Sequence, residues 1–224
     1  MDLVRLLTPS SEAPHAEPTP VVRRRRTVVA VTLVVGTGLL AATLAVPAGS
    51  DLFTLLGLLV AATWIGGSLL SGPLHLGRRG GALTGRREVV GPIVLGVVAY
   101  LGFLVVSLVA REVPGLGGAL DSILGKADAG PLALVLVVAL VNAVAEEVFF
   151  RGALHSAFGG RDAARNATVV YVLVTVATLN VALVAAAAVM GTVFALERMS
   201  TRGILAPILT HVTWSTLMLL ALPR

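Results

Sequence analysis

Two adjacent carboxylates in an apolar stretch are the residues of this chain best suited to chemistry. Glu146 and Glu147 lie within residues 142–152, among alanine, valine and phenylalanine. A charge in apolar surroundings is costly, so an ionisable residue there indicates a functional site. Glu147 and Arg151 are four residues apart and can form an ion pair on one helix face. Glu146 points about 100° away and cannot share that partner well. A carboxylate without its own cation is a competent proton acceptor in a medium of low dielectric. We therefore predict a structural role for Glu147 and Arg151 and a reactive role for Glu146.

A histidine near the end of the chain can complete this site. His211 lies in the last apolar stretch, about 12 Å from the start of that stretch by helical rise. If that helix begins in the cytoplasm, His211 and Glu146 reach comparable depths. If it begins outside, they are displaced by about 10 Å. Ser215, one turn beyond His211, shares its helix face and can donate a hydrogen bond.

The composition requires a membrane environment for these residues. The chain has 224 residues, of which 56% are hydrophobic and 13% charged, and its mean hydropathy is +0.93. Soluble domains are roughly 45–50% apolar and 25% charged, and the apolar runs here reach the length of about 20 residues that spans a bilayer. This pattern excludes a soluble globular enzyme and predicts an all-α, polytopic transmembrane helical bundle. The chain has no cysteine, so disulfide, thiolate and cysteine-ligated metal chemistry are excluded.

The apolar runs predict seven helices in one domain. Residues 1–22 contain three prolines and little apolar periodicity, which predicts a disordered cytoplasmic tail. Residues 23–224 form the predicted single transmembrane domain, and residues 111–130 a glycine-rich loop. The predicted spans are Thr27–Val46, Leu52–Leu70, Val89–Ala110, Pro131–Phe150, two shortened helices within Ala167–Leu196 with a turn near Asn180, and Gly203–Leu222. One tilted helix in place of the hairpin would give six. Four glycines, namely Gly36, Gly38, Gly66 and Gly67, are predicted to let helices approach closely.

The arginines indicate topology. Although the net charge is +5, the arginines are grouped at the ends of apolar runs, so we predict a bilayer and no nucleic acid as the partner. The tail and residues 71–88 and 151–166 are rich in Lys and Arg, whereas 47–51 and 111–130 are poor. The positive-inside rule then puts the N-terminus in the cytoplasm. We expect a multi-pass protein of the plasma membrane.

Two segments resemble a known protease family. Glu146-Glu147-Val-Phe-Phe-Arg151-Gly152 resembles the EExxxR motif of the CPBP (Abi) family of intramembrane glutamic endopeptidases, which is related to the type II CAAX prenyl proteases. Residues 191–211 are similar to the family's glycine-containing helix, short polar turn and third-motif histidine. The resemblance covers about residues 131–220, which we take as the catalytic core.

The resemblance implies a mechanism and also shows two departures. It implies that Glu146 activates a water that attacks the scissile carbonyl of a peptide or membrane-protein substrate, while Glu147 and Arg151 order the site. In the family, a second motif, FxxxH, and a third, HxxxN, supply two histidines and an amide that stabilises the oxyanion. Here Asn180 stands at the best placement of the second-motif histidine, and Ser215 stands in place of the amide. Asparagine can orient water but cannot take up its proton.

Three functions are compatible with these residues. The first is an intramembrane endopeptidase, for which the sequence gives no reason to expect prenylated substrates. The second is a catalytically degenerate membrane scaffold or immunity-type protein, in which Asn180 is only a turn residue. The third is a proton-coupled transporter that uses Glu146 as carrier, which the predicted boundary position of the glutamates disfavours.

We predict no required cofactor or metal. Adjacent glutamates diverge on a helix, and the second-motif histidine is missing, so about two good metal ligands remain. The sequence specifies neither the substrate nor the oligomeric state.

Overall fold

The chain folds into a bundle of helices in the computed structural model, which describes residue 7 and residues 19–47, 49–74, 86–113, 115–128 and 130–221. These residues form eight helices and no strand: α1 (Thr19–Ala45), α2 (Asp51–Ser71), α3 (Arg86–Ala110), α4 (Leu116–Asp128), α5 (Leu132–Phe158), α6 (Ala163–Val176), α7 (Val181–Thr201) and α8 (Leu205–Ala221). Five of the eight (α1, α2, α3, α5 and α7) are long and apolar enough to cross a membrane. The predicted all-α transmembrane bundle is confirmed.

All seven predicted segments are helical. The stretch Ala167–Leu196 forms the hairpin of α6 and α7, with its turn at residues 177–180, and not one tilted helix. The helix α1 begins at Thr19, inside the predicted tail. Nearly all of the remaining tail lies outside the described residues, as does the arginine-containing segment 75–85.

The predicted loop 111–130 contains a helix. The short α4 is amphipathic, and its Leu120 and Leu124, four residues apart, pack with Tyr100 and Trp214 from α3 and α8. Burial of this apolar face outweighs the low helix propensity of the glycines around it. The loop prediction was therefore wrong for Leu116–Asp128.

The fourth span is longer than predicted. We expected it to end at Phe150, with the glutamates at the membrane boundary. Instead α5 continues to Phe158 and includes a π-helical segment, Glu147–Leu154. Arg151 is only 3% exposed and finds its partners inside the bundle, so the helix need not leave the apolar region there. The predicted helix end at Phe150 was wrong, and Glu146 lies close to the middle of α5.

Arginine side chains connect three helix ends. Arg24 donates to the Leu70 carbonyl near the end of α2, at 2.8 Å, and Arg26 donates to the Ala157 carbonyl near the end of α5, at 3.0 Å. Carbonyls in the last turn of a helix lack intrahelical partners, and a cation there is favourable. The start of α1 and the ends of α2 and α5 therefore lie at the same end of the bundle, as the predicted alternation requires.

Two of the four predicted glycine contacts bring α1 against α2. A Cβ atom at Gly36 would overlap the ring of Trp64, and one at Gly67 would overlap the side chain of Thr32. Small residues at such positions allow close helix packing in membranes. Trp64 in turn packs on Phe149 and Phe150, with ring centroids 4.6 and 5.2 Å away. The α1–α2 contact thus supports the part of α5 that carries the glutamates.

Gly36→Ala is expected to destabilise the protein by about 1–3 kcal/mol, because the added methyl group must displace the Trp64 ring. The matched control is Gly38→Ala in the same helix. Gly38, like Gly66, has nothing within 4 Å of an added Cβ atom, so alanine there should be neutral or slightly stabilising. Thermal unfolding in detergent measures both. Equal melting temperatures for the two variants would contradict the packing argument.

A buried acid joins three helices on the other side of the bundle. The Thr210 hydroxyl lies 3.0 Å from the Pro92 carbonyl and 2.7 Å from Glu197 Oε1. The Thr210 hydroxyl donates towards both acceptors, the Pro92 carbonyl and Glu197 Oε1. Glu197 is therefore linked through Thr210 to α8 and α3.

Candidate active site

Glu147 is held in an ion pair inside the bundle. Its side chain is 0% exposed, and its Oε1 accepts from Arg151 Nη1 at 3.1 Å. Both residues lie in the π-helical segment of α5, one turn apart. The structure thus brings together the pair that the spacing predicted. Glu147 Oε2 has no partner among the described residues, so Oε1 carries all of its hydrogen bonding.

Arg151 is fixed on three sides. Its Nη2 donates to the Gly191 carbonyl of α7 at 3.1 Å, and its guanidinium carbon lies 4.5 Å from the centroid of the Tyr171 ring. The ring of Phe194 is 5.1 Å away. Planar stacking of this kind suits arginine and not lysine. Arg151 therefore connects α5 to α6 and α7.

His211 meets Glu147 and not Glu146. Its Nδ1 lies 2.9 Å from Glu147 Oε1, and its ring stacks on Phe194 with centroids 4.7 Å apart. An ionised carboxylate only accepts, so Nδ1 donates, and in the neutral imidazole Nε2 is then an acceptor. Within the described part of the chain, Nε2 makes no hydrogen bond. The shared depth of His211 and the glutamates, predicted from the seven-helix topology, is thereby observed.

Glu146 has a different partner. Its Oε2 accepts from the hydroxyl of Tyr171 in α6 at 2.8 Å. Unlike Glu147, Glu146 has no cation bonded to it among the described side chains. The two glutamates therefore differ in environment in the way that their 100° divergence on the helix predicted.

Glu146 and His211 line one internal cavity of about 160 Å³. Its polar wall consists of Glu146, Tyr171, Thr175, Thr178 and His211, and Trp214 and apolar side chains line the rest. Glu146 is the only acid among the described residues that line it. A cavity of this size has room for several water molecules, which its polar wall can hold by hydrogen bonds. A water, a proton acceptor and a histidine nitrogen can therefore meet here.

The structure does not bring Asn180 to this cavity. Its Oδ1 accepts from the Leu183 N–H at 3.0 Å and caps the start of α7, and its Nδ2 donates to the Ala119 carbonyl at 2.9 Å. Both ends of the amide are thus occupied at the α6–α7 turn. Asn180 therefore does not occupy the site position that the family's second motif implied, because helix capping and the contact with α4 fix its side chain at the turn.

Asn180→His is accordingly expected to leave any activity unchanged and to cost about 1 kcal/mol, the usual value of a lost N-cap. Asn180→Asp retains an accepting oxygen for the Leu183 N–H and is expected to retain more of that stability. Melting temperatures and cleavage rates of both variants measure these effects. A rise in activity with histidine would show that position 180 communicates with Glu146.

Ser215 lies one turn from His211 on α8, as predicted. The described residues that line the cavity include Trp214 but not Ser215. Its place at the oxyanion therefore stays a prediction from the family motif.

Sequence reasoning missed Tyr171. It is one of two tyrosines in the chain and lies in an otherwise apolar helix, where a phenol needs an acceptor. That requirement was the available signal. Only the packing of α6 on α5 shows that the acceptor is Glu146.

The fold and the site together define a class of protein. The chain is a multi-pass membrane protein in which Glu146 and His211, from α5 and α8, line one cavity. Glu147 and Arg151 form the ion pair that holds His211 beside it. Residues 128–217 match the family described as Type II CAAX prenyl endopeptidase Rce1-like, a family of membrane proteases. This match confirms the resemblance predicted from the sequence. Comparisons with curated proteins and with solved structures gave no match.

The family match also bears on the transporter alternative. That function was disfavoured because the glutamates were expected at the membrane boundary, and Glu146 lies near the middle of the 27-residue α5. The matched segment 128–217 contains the whole cluster of Glu146, Glu147, Arg151 and His211 and now favours the peptidase.

Proposed function

We propose that this protein is an intramembrane endopeptidase that hydrolyses peptide bonds with a water activated by Glu146. The observation that carries the proposal is the unequal use of the two glutamates. Glu147 Oε1 is engaged by Arg151 and His211, whereas Glu146 lines the cavity with no cation bonded to it. A general base needs a free proton-accepting lone pair beside a water, and of the two glutamates only Glu146 offers one in the cavity.

The reaction uses the groups of the cavity in a simple order. Water donates one hydrogen bond to Glu146 and another to His211 Nε2. Glu146 takes the first proton as the water oxygen bonds to the scissile carbonyl carbon and the carbonyl becomes an oxyanion. The C–N bond then breaks, and the leaving nitrogen receives the proton from Glu146. Glu147 keeps His211 in the tautomer that leaves Nε2 able to accept.

The test is cleavage in a defined membrane. Purified protein is reconstituted in liposomes with a library of membrane-tethered peptides, and products are identified by mass spectrometry in water enriched in ¹⁸O. We expect one ¹⁸O atom in each new carboxyl terminus, and no products from Glu146→Gln. Equal cleavage by both proteins would remove Glu146 as the base. The peptides are unmodified, because the sequence gives no reason to expect a prenyl group.

We propose that the reaction needs no metal. Among the described residues, no group of three or more His, Asp or Glu side chains is arranged to hold a metal ion. In the site, Glu147 is taken up by Arg151, so Glu146 and His211 are the two remaining ligands, fewer than a zinc site uses. Cleavage should persist in a chelator. Loss of activity that a stoichiometric divalent ion restores would overturn this.

A second function has one observation in its favour. Asn180 stands at the second-motif position and serves only the α6–α7 turn, so a degenerate scaffold of the same fold is the alternative. In that case Glu146→Gln would leave the cellular function intact, whereas variants that lower the amount of folded protein would reduce it.

We also propose that the N-terminus faces the cytoplasm of a plasma membrane, because the arginine-rich segments share one end of the bundle. The chain contains no cysteine, so single cysteines introduced at Asp51 and Arg161 can be labelled without background. An impermeant maleimide added to intact cells should label position 51 and not 161.

A further inference from the structure

Tyr171 lines the cavity beside Glu146, where its hydroxyl can donate a hydrogen bond to a reacting group. Its hydroxyl donates to Glu146 Oε2 at 2.8 Å, and its ring is held between Phe150, at a centroid distance of 4.8 Å, and the Arg151 guanidinium. Contacts on both sides of the ring hold the phenol in place, so the group beside the proposed base is a rigid donor.

The other donors of the cavity are less available. The Thr175 hydroxyl donates to the Tyr171 carbonyl at 2.9 Å, and His211 Nδ1 is bonded to Glu147. Trp214 Nε1 has no hydrogen-bond partner among the described residues, but it is buried and presents almost no surface to the cavity. The hydroxyl of Thr178 is free to donate, but it lies at the turn after α6, two helical turns beyond Tyr171. Tyr171 is thus the donor adjacent to the place where the water must be activated.

We propose that Tyr171 is a catalytic residue that stabilises the oxyanion. This inference rests on the proposed function and adds a residue to its site. Before reaction, the phenol donates to the ionised Glu146. When Glu146 takes the proton of the attacking water, its negative charge disappears and an equal charge forms on the carbonyl oxygen. A hydrogen bond to an anion is stronger than one to a neutral group, so the phenol O–H moves to the oxyanion without giving up its proton.

Removal of the hydroxyl tests the proposal. Tyr171→Phe keeps the ring and its packing on Phe150 and Arg151. We expect kcat to fall about 10²- to 10³-fold, the usual effect of losing one oxyanion donor, with KM nearly unchanged. The matched control is Tyr100→Phe, which removes the other phenol of the chain, bonded to the Ala221 carbonyl at 2.8 Å, and should leave kcat unchanged. A purely structural Tyr171 would lower the melting temperature and leave kcat of the folded fraction intact.

A transition-state analogue separates this proposal from the proposed function, because its binding requires no turnover. The probe is an alanine peptide in which a phosphinate replaces one amide bond. Tyr171→Phe should weaken the affinity for the phosphinate by the same factor by which it lowers kcat/KM. Binding of the unmodified peptide is measured in the Glu146→Gln protein, which does not cleave it. Adding Tyr171→Phe to that protein should leave the peptide affinity unchanged. If the wild type cleaves peptides and Tyr171→Phe does so equally well, the Tyr171 proposal is overturned alone. If the wild type cleaves nothing but binds the phosphinate in a Tyr171-dependent way, the peptidase function fails and the oxyanion site stands. Equal phosphinate binding with and without the hydroxyl overturns the site.

Discussion

Glu146→Gln is expected to lower the rate of peptide cleavage by about 10³-fold or more while the protein remains folded. Glutamine has the shape of glutamate but cannot accept the proton of water, and general base catalysis contributes about 10²- to 10⁴-fold. The fold should persist, because the amide oxygen can still accept from the Tyr171 hydroxyl. Initial rates in liposomes and melting temperatures in detergent give the two quantities.

The matched control is Glu197→Gln, the same change at another buried acid. Glu197 does not line the cavity, and its Oε1 accepts from the Thr210 hydroxyl. The amide oxygen of glutamine can also accept from Thr210, so both rate and melting temperature should stay near those of the wild type. If Glu197→Gln lost as much activity as Glu146→Gln, the effect would belong to buried acids in general and not to the cavity.

Much of the site could be predicted because it depends on local spacing. The four-residue separation of Glu147 and Arg151 fixes their ion pair on one face, and the divergence of adjacent residues fixes the different surroundings of Glu146. The proximity of His211 to the glutamates followed from counting membrane spans. Whether the number of spans before α8 is odd or even decides at which side of the membrane α8 begins. Helical periodicity and hydropathy were sufficient for these features.

The remaining features depend on tertiary contacts. Asn180 was assigned to the cavity from a motif, but capping of α7 and the contact with Ala119 decide where its amide points. The end of α5 was predicted at the first arginine, because spacing does not show that Arg151 is satisfied by the carbonyl of Gly191, forty residues away. Tyr171 could not be paired with Glu146 before the packing of α6 was known. The local sequence identifies a side chain as a donor or an acceptor, but only the fold shows which donor meets which acceptor.

Arg151→Ala is expected to cause the largest loss of stability. The substitution leaves Glu147 fully buried without its cation and removes the donor to the Gly191 carbonyl. Breaking a buried pair by removing one partner costs about 3–5 kcal/mol, a large share of a typical stability of about 5–15 kcal/mol. The yield of folded protein should fall sharply, and the melting temperature of what remains should fall by about 10 °C or more.

Two further variants identify the cause of that loss. Arg165→Ala makes the same change in an exposed ion pair with Asp162, at 3.4 Å with the arginine side chain 72% exposed, and should shift the melting temperature by less than about 2 °C. Arg151→Lys keeps a cation near Glu147 but cannot stack on Tyr171 and Phe194 while donating to Gly191, so an intermediate stability is expected. If Arg151→Ala melted like Arg165→Ala, Glu147 would have to be neutral in the folded protein. The proton on His211 Nδ1 would then no longer follow from the geometry, because a protonated Glu147 could itself donate to that nitrogen.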